Sequence, residues 1–338
     1  MADTGPRTLD LPLEFIRLNE ADLAWLRELP DLLDRLAIGW SLTVENHFPD
    51  IAYNYVAPAT RVDPDRRPTP CVLKVSRRVG ETANEIAALR LWDGRGAARL
   101  IEADPEIGAL LIERVEPGTM LVEVAETDDD DATVVAAGVL RRLWEPVVEP
   151  ADLRGLRPLE SWCAAYDRNR EALSRGADGF PAALFQRADA LRRDLLASTA
   201  RPTVLHGDMH HYNVLRDRRA GWLAIDPKGL AGDRCFDVCQ FFRNPRDRAP
   251  PRVNRRRLDI FSAELGLDRQ RTKDWCLVHA VLDACWDFEG PTVREGTGHF
   301  SHETNTRNPT PTTLERITTH RDHPWQRAVA RAEATLSF

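Results

Sequence analysis

The chain has 338 residues, enough for two lobes around a cleft and too many for one small core. Its 46 Lys and Arg against 53 Asp and Glu leave a formal charge of −7, which argues weakly against a nucleic-acid partner and is compatible with a cationic small molecule, although solubility alone accounts for a charge of this size. No segment approaches the roughly 20 apolar residues that cross a bilayer, the first residues lack the basic and apolar regions of a signal peptide, and Cys71, Cys163, Cys235, Cys239, Cys276 and Cys285 form no CxxC pair, so buried thiols in the reducing cytoplasm are expected.

Leu13 to Trp40 carries apolar side chains at helical intervals, with Pro30 expected to divide two helical pieces. Strands follow over Ser41 to Glu45 and Ala52 to Thr60, joined by a turn containing Pro49 and Asp50. The polar run Arg61 to Pro70 links them to a third strand, Cys71 to Val75, which carries Lys74. Glu81 to Asp93 reads as an amphipathic helix bearing Glu85, with Ile86 and Leu89 on its apolar face and Gly94 as its stop. Two more strands fit Ala98 to Glu102 and Ala109 to Val115, ending at Glu116-Pro117-Gly118.

From Thr119 the pattern is helical: Met120 to Glu126, Ala132 to Trp144, Leu159 to Ser174 and Pro181 to Ser198. The acidic run Asp128 to Asp131 reads as a solvated linker containing a helix N-cap. Further helices are expected over Phe236 to Arg243, Arg252 to Leu265 and Asp268 to Phe288. Gly290 to His323 lacks apolar periodicity and reads as a long loop, and a last helix covers Pro324 to Leu336.

Between these helices lies LHGDMHHYNVLRDRRAGWLAIDPKGLAG, Leu205 to Gly232. Asp208 and Asn213 sit in a polar segment between two apolar ones, where a loop at strand ends is expected. Asp226 closes the apolar strand Trp222 to Ile225. His206-x-Asp208-x-x-x-x-Asn213 has the spacing of a kinase catalytic loop, with Asp226 in the place of the second metal-binding acid. In that reading Asp208 orients and deprotonates an acceptor hydroxyl, with His206 beside it, while Asn213 and Asp226 hold Mg²⁺ against the phosphates of ATP. Lys74, paired with Glu85, anchors phosphate. The chain contains only three lysines, Lys74, Lys228 and Lys273, and two of them fall in these motifs. The competing readings are a turn made only of turn-forming residues and a zinc site built on His206, His210 and His211, which lacks cysteines at ligand spacing. Asp237 reads as a helix cap or as a support under the loop.

Leu205 to Val238 resembles the aminoglycoside phosphotransferases, small-molecule relatives of the protein kinases. The closest resemblance is to the streptomycin 6-kinase and hydroxyurea phosphotransferase family, through HGDMHHYNVL, AIDPKGLAGD with FDV, YNYVAPATR, VLKV, ALRLWDGRGAARL, LLIERVEPGT and LDACW. It implies a two-lobed α+β protein-kinase-like fold, with residues 1–117 as a five-stranded nucleotide-binding lobe with leading helices and 118–338 as a mainly helical lobe holding the catalytic loop and substrate site. It implies ATP and Mg²⁺ as cofactors, Glu113 to Val115 along the adenine pocket, and Lys228 against phosphate or substrate. A streptomycin-like aminoglycoside leads as acceptor, ahead of hydroxyurea or a metabolite. A catalytically silent kinase-fold binding protein is the rival of another class. No glycine-rich GxGxxG loop joins the first two strands; His47 to Asn54 stands there instead. Asp283 and Asp287, four apart on one helix and followed by Glu289, are the candidate acids for a guanidino or amino sugar, against the plainer reading of a solvated face.

Overall fold

The computed structural model describes residues 9–12, 15, 23–49, 51, 53–62, 67–145, 149, 151–245, 249–289 and 325–335. Helix α1 (Leu23–Gly39) runs unbroken through Pro30, against the expected division. Leu29, Leu32, Leu33 and Leu36 form one buried stripe across the proline, and their packing outweighs its cost of about 3 kcal/mol. Strands β1 (Leu42–Val44), β2 (Tyr55–Val62) and β3 (Pro68–Val75), then helix α2 (Val79–Trp92), precede β4 (Leu100–Asp104) and β5 (Ala109–Glu113). The five strands form one antiparallel sheet in the order β1-β2-β3-β5-β4. Both ends of the expected linker before β3 are paired with each other, Arg61 facing Thr69 and Val62 facing Pro68.

Alternation along β3 decides where Lys74 points. Cys71, Leu73 and Val75 pack on one face with Phe15 and the α1 leucines, forming a small outer core. Lys74 therefore faces the other side, toward α2, whose Ile86, Leu89 and Trp92 belong to the large core of the C-terminal part.

Residues Pro117–Met120, expected as loop and helix start, form a short strand β6 that pairs with Val214–Asp217, before helix α3 (Leu121–Ala125). Helix α4 (Asp129–Trp144) is capped by Asp128, whose side chain accepts from Asp131 N at 3.0 Å. The acidic run is no solvated linker: Arg257 binds both Asp129 oxygens and Arg256 binds Asp130 at 2.8 Å. The expected helix from Leu159 to Ser174 breaks into α5 (Leu159–Trp162) and α6 (Ala165–Leu173), preceded by the two-residue strand β7 (Arg157–Pro158). Helix α7 (Ala182–Ala197) leads into the strands that frame the central motif: β8 (Thr203–Leu205), β9 (Val214–Asp217), β10 (Gly221–Ala224) and β11 (Leu230–Gly232). β9 and β10 form an antiparallel hairpin, and β11 lies between β7 and β8.

Helix α8 (Arg234–Asp237) and a 3-10 turn, Phe241–Arg243, replace the single helix expected there. Helices α9 (Pro251–Leu265), α10 (Arg269–Glu289) and α11 (Trp325–Thr335) complete the chain. The expected loop Gly290 to His323 lies outside the described residues. Among the described residues no helix is long and apolar enough to cross a membrane, and all six cysteines are buried free thiols.

Candidate active site

The loop from His206 to Asn213 leaves β8 through Gly207, whose φ of 79° is the left-handed conformation that favours glycine. Asp237 fastens the loop from below. Its Oδ1 accepts from Gly207 N at 2.7 Å, and its Oδ2 accepts from His206 N at 3.0 Å and from Trp144 Nε1 at 3.1 Å. The helix cap proposed for Asp237 is made by Asp233, which accepts from Cys235 N at 3.0 Å, so Asp237 is the support under the loop. Burial raises its pKa, opposed by His206 and by the donors it binds.

His206 braces the loop through both ring nitrogens. Its Nε2 lies 2.9 Å from the Ile225 carbonyl oxygen and its Nδ1 accepts from Asp208 N at 3.2 Å, so one neutral tautomer serves both contacts. Burial lowers its pKa, against the pull of Asp237 and Asp208. The ring also stacks on Trp92 of α2, centroids 6.5 Å apart. With both nitrogens of His206 engaged and His211 stacked on Phe241 at 3.8 Å, the loop presents no set of three imidazoles to a metal.

Asn213 donates from Nδ2 to the Asp208 carbonyl oxygen at 3.0 Å, which aims its amide oxygen away from the loop. Ile225 N donates to Asn213 O at 3.0 Å, so the β9–β10 hairpin sets Asp226 beside Asn213. Asp226 has a φ of 56°, a strained conformation for a residue with a side chain and one that recurs at functional sites. Lys74 Nζ lies 2.9 and 2.7 Å from the Glu85 oxygens and contacts Asp226 Oδ1 as well. Lys228 Nζ lies 3.2 Å from Asp226 Oδ2 and 3.5 Å from Asp208 Oδ2. Residues 152 positions apart in sequence thus meet in one charged cluster.

Burial would raise the Asp226 pKa, but Lys228 and Lys74 outweigh it and hold the carboxyl far below its usual range. A third of that side chain stays exposed, so solvent screens part of the attraction. The two lysines are raised for the reciprocal reason, burial working against them. Burial raises Glu85, and the Lys74 ammonium opposes the shift. Asp226, Asn213 and Asp208 offer hard oxygen atoms, the donor chemistry that Mg²⁺ takes while it keeps part of its water shell.

Other expected site residues fall differently. Glu113 closes β5, its carboxylate accepting from Arg99 N at 2.7 Å and its own N–H donating to the Arg99 carbonyl oxygen at 2.9 Å; Val115 is buried in the large core. Asp283, offered as a substrate acid, is buried and ion-paired with Arg243, with His279 Nδ1 at 3.8 Å. Glu289 binds Arg168 at 2.8 Å and Asn169 at 2.8 Å. Both carboxylates are committed inside the fold, and Asp287 lies half-buried between them in sequence. Sequence reasoning missed Trp144 and Trp92, which brace the loop, and Arg78, whose guanidinium covers the Tyr53 ring at 4.8 Å and ties the His47 to Asn54 segment to the start of α2.

A family model described as aminoglycoside/hydroxyurea antibiotic resistance kinase matches residues 56–290, a span that contains Lys74, Glu85, Asp208, Asn213, Asp226 and Lys228. The chain belongs to this family. It is 35% identical over 275 residues to a streptomycin 6-kinase of Streptomyces glaucescens, covering 80% of this chain and 86% of that one. It is 33% identical over 290 residues to a hydroxyurea phosphotransferase of Kitasatospora aureofaciens, covering 84% and 82%. Among solved structures, a choline kinase from Streptococcus pneumoniae overlays with a TM-score of 0.56 at 12% identity, covering 90% of this chain and 98% of that one. An amicoumacin kinase crystallised with AMP-PNP and Ca²⁺ gives 0.54 at 13%, covering 90% and 92%. The fold is that of the kinase-like phosphotransferases, α+β with a sheet-rich N-terminal part, and family membership makes the chain a phosphotransferase acting on a hydroxyl acceptor.

Proposed function

We propose that the chain transfers the γ-phosphoryl group of ATP, with Mg²⁺, to a hydroxyl of a streptomycin-like aminoglycoside in the cytoplasm. The observation that carries the reading is the convergence of Lys74, Glu85, Asp208, Asn213, Asp226 and Lys228 in one cluster. A catalytically silent binding protein has no use for that complete set. Residues 1–117 would supply the nucleotide side, with Lys74 on phosphate and the Glu113 to Val115 main chain against adenine. Residues 118–338 would supply the loop and the acceptor side.

Asp208 accepts the acceptor's hydroxyl proton as that oxygen bonds to the γ-phosphorus. The bond from γ-phosphorus to the β–γ bridging oxygen breaks, and its electron pair leaves with ADP. Asn213 and Asp226 would hold the metal. When bound, Mg²⁺ neutralises charge on the phosphate oxygens. Recognition of the acceptor cannot rest on Asp283 or Glu289, whose charges are internally paired; the streptomycin 6-kinase relatives and the net charge of −7 support a cationic acceptor instead. Hydroxyurea is the second reading, on the strength of the phosphotransferase relative.

The test is ADP release from Mg·ATP over streptomycin, other aminoglycosides, hydroxyurea and simple sugars, with Asp208→Ala alongside. Streptomycin-dependent turnover should fall on the order of 10²–10⁴-fold in the variant. Turnover with hydroxyurea alone would shift the assignment to the second reading, and failure to bind ATP would remove the kinase reading altogether.

A further inference from the structure

Lys228 stands where two acids with different tasks come closest. Its ammonium is 3.2 Å from Asp226 Oδ2, on the acid proposed to hold metal, and 3.5 Å from Asp208 Oδ2, on the acid proposed to take the proton. The other Asp226 oxygen is covered by Lys74, which Glu85 holds in turn. Lys74 thus has a fixed partner of its own, whereas both contacts of Lys228 are to groups that the reaction uses. Its main chain is pinned, Lys228 N donating to His206 O at 2.7 Å, and the neighbouring Gly229 packs on the backbone of α2. Any change in what Lys228 binds is therefore a swing of its four-carbon stem. Its side chain is about one-fifth exposed.

The space between Asp226 and Asp208 is also the path of the transferring group, which must reach from a metal on Asp226 to an acceptor oxygen on Asp208. A metal that takes Asp226 Oδ2 competes with the ammonium for the same lone pairs. An ammonium displaced from there meets a new anion, the phosphoryl group in transit, with Glu81 and Glu85 as the other acids near enough to act on it.

We propose that Lys228 is an exchangeable counterion and a catalytic residue: it neutralises Asp226 and Asp208 before metal and nucleotide enter, then moves onto the γ-phosphoryl oxygens during transfer. No proton or electron changes hands at Lys228. Its compact ammonium can make that move within a short arc, and a planar guanidinium cannot, which accounts for a lysine here in a chain with only three lysines among 46 basic residues. This rests on the phosphotransferase reading.

The test uses the full chain without nucleotide. Mn²⁺ binding is followed by the loss of the free-ion electron paramagnetic resonance signal in wild type, Lys228→Met, Lys228→Gln and Lys228→Arg. Removing the competing charge should tighten Mn²⁺ binding about tenfold or more in the Met and Gln variants, and leave the Arg variant near wild type. With acceptor present, kcat of the two neutral variants should fall on the order of 10²–10³-fold, with KM for ATP changed less than about threefold. Equal Mn²⁺ affinity in wild type and both neutral variants overturns the counterion role, and a preserved kcat overturns the catalytic one. Two neutral variants are included so that the loss of one to misfolding leaves the comparison intact. A wild-type chain that binds neither Mn²⁺ nor nucleotide would overturn the phosphotransferase reading itself.

Discussion

Asp237 and His206 carry no chemistry of their own, yet between them they engage the backbone of the loop that presents Asp208. The Asp237 carboxylate satisfies three donors, and the His206 ring bridges Asp208 N to Ile225 O. His211, two residues beyond Met209 in the loop, is buried against Phe241, and its pKa is held well below the ordinary imidazole value by burial, with Arg257 and His210 adding to the shift. The unfolded chain takes up a proton near pH 6.5 that the folded chain refuses. Stability from this group is thus fully present above about pH 6.5 and is lost as pH falls below it. The melting temperature should drop between pH 7.5 and 5.5, and drop less in His211→Gln, although that variant starts lower through lost stacking. An identical pH slope in both proteins would assign the effect elsewhere. At this scale the proposed catalytic set was legible because Asp208, Asn213 and Asp226 lie within one short stretch. The fate of Asp283 and Glu289 was not, since Arg243 and Arg168 lie 40 and 121 positions away and no local pattern separates a cleft acid from a buried ion pair.

At the scale of elements, the decisive contact is between α2 and the turn after Asp226. Gly229 has a φ of 61°, and a Cβ there would overlap the Asn84 carbonyl oxygen. Asn84 precedes Glu85, so this approach sets the depth at which Glu85 meets Lys74. Gly229→Ala combines backbone strain of about 1–2 kcal/mol with that overlap. It should raise KM for ATP and lower the melting temperature, while Gly266→Ala, a helix cap with nothing within 4 Å, should lower only the second. Equal effects of the two on KM would refute the steric account. The glycine was visible in Asp-Pro-Lys-Gly; its reason lay in a helix some 145 residues earlier. Strand β6 was hidden likewise. Pro117 and Gly118 are poor strand formers, and only the distant β9 makes a strand of them.

Across the whole molecule the apolar residues divide into a small core under α1 and a large one that takes in α2 and the C-terminal helices. Trp92 Nε1 donates to the Leu143 carbonyl oxygen at 3.0 Å, so the helix bearing Glu85 is fastened to the part of the chain that holds the catalytic loop. The order of strands and helices was readable from periodicity. The division of the core was not, because it depends on which face of β3 each side chain takes and on what covers that face. The scarcity of lysine in turn makes the site separately addressable by amine chemistry. Lys74 is 7% exposed and caged by carboxylates, while Lys228 is partly open and Lys273 lies half-buried on α10, far along the chain from the loop. Brief treatment with an acylating reagent should therefore mark Lys228, slowly because Asp226 and Asp208 hold its ammonium protonated, and Lys273 faster. Mg·ATP should protect the first and leave the second unchanged, giving an occupancy readout by peptide mass alone, without an acceptor and without turnover.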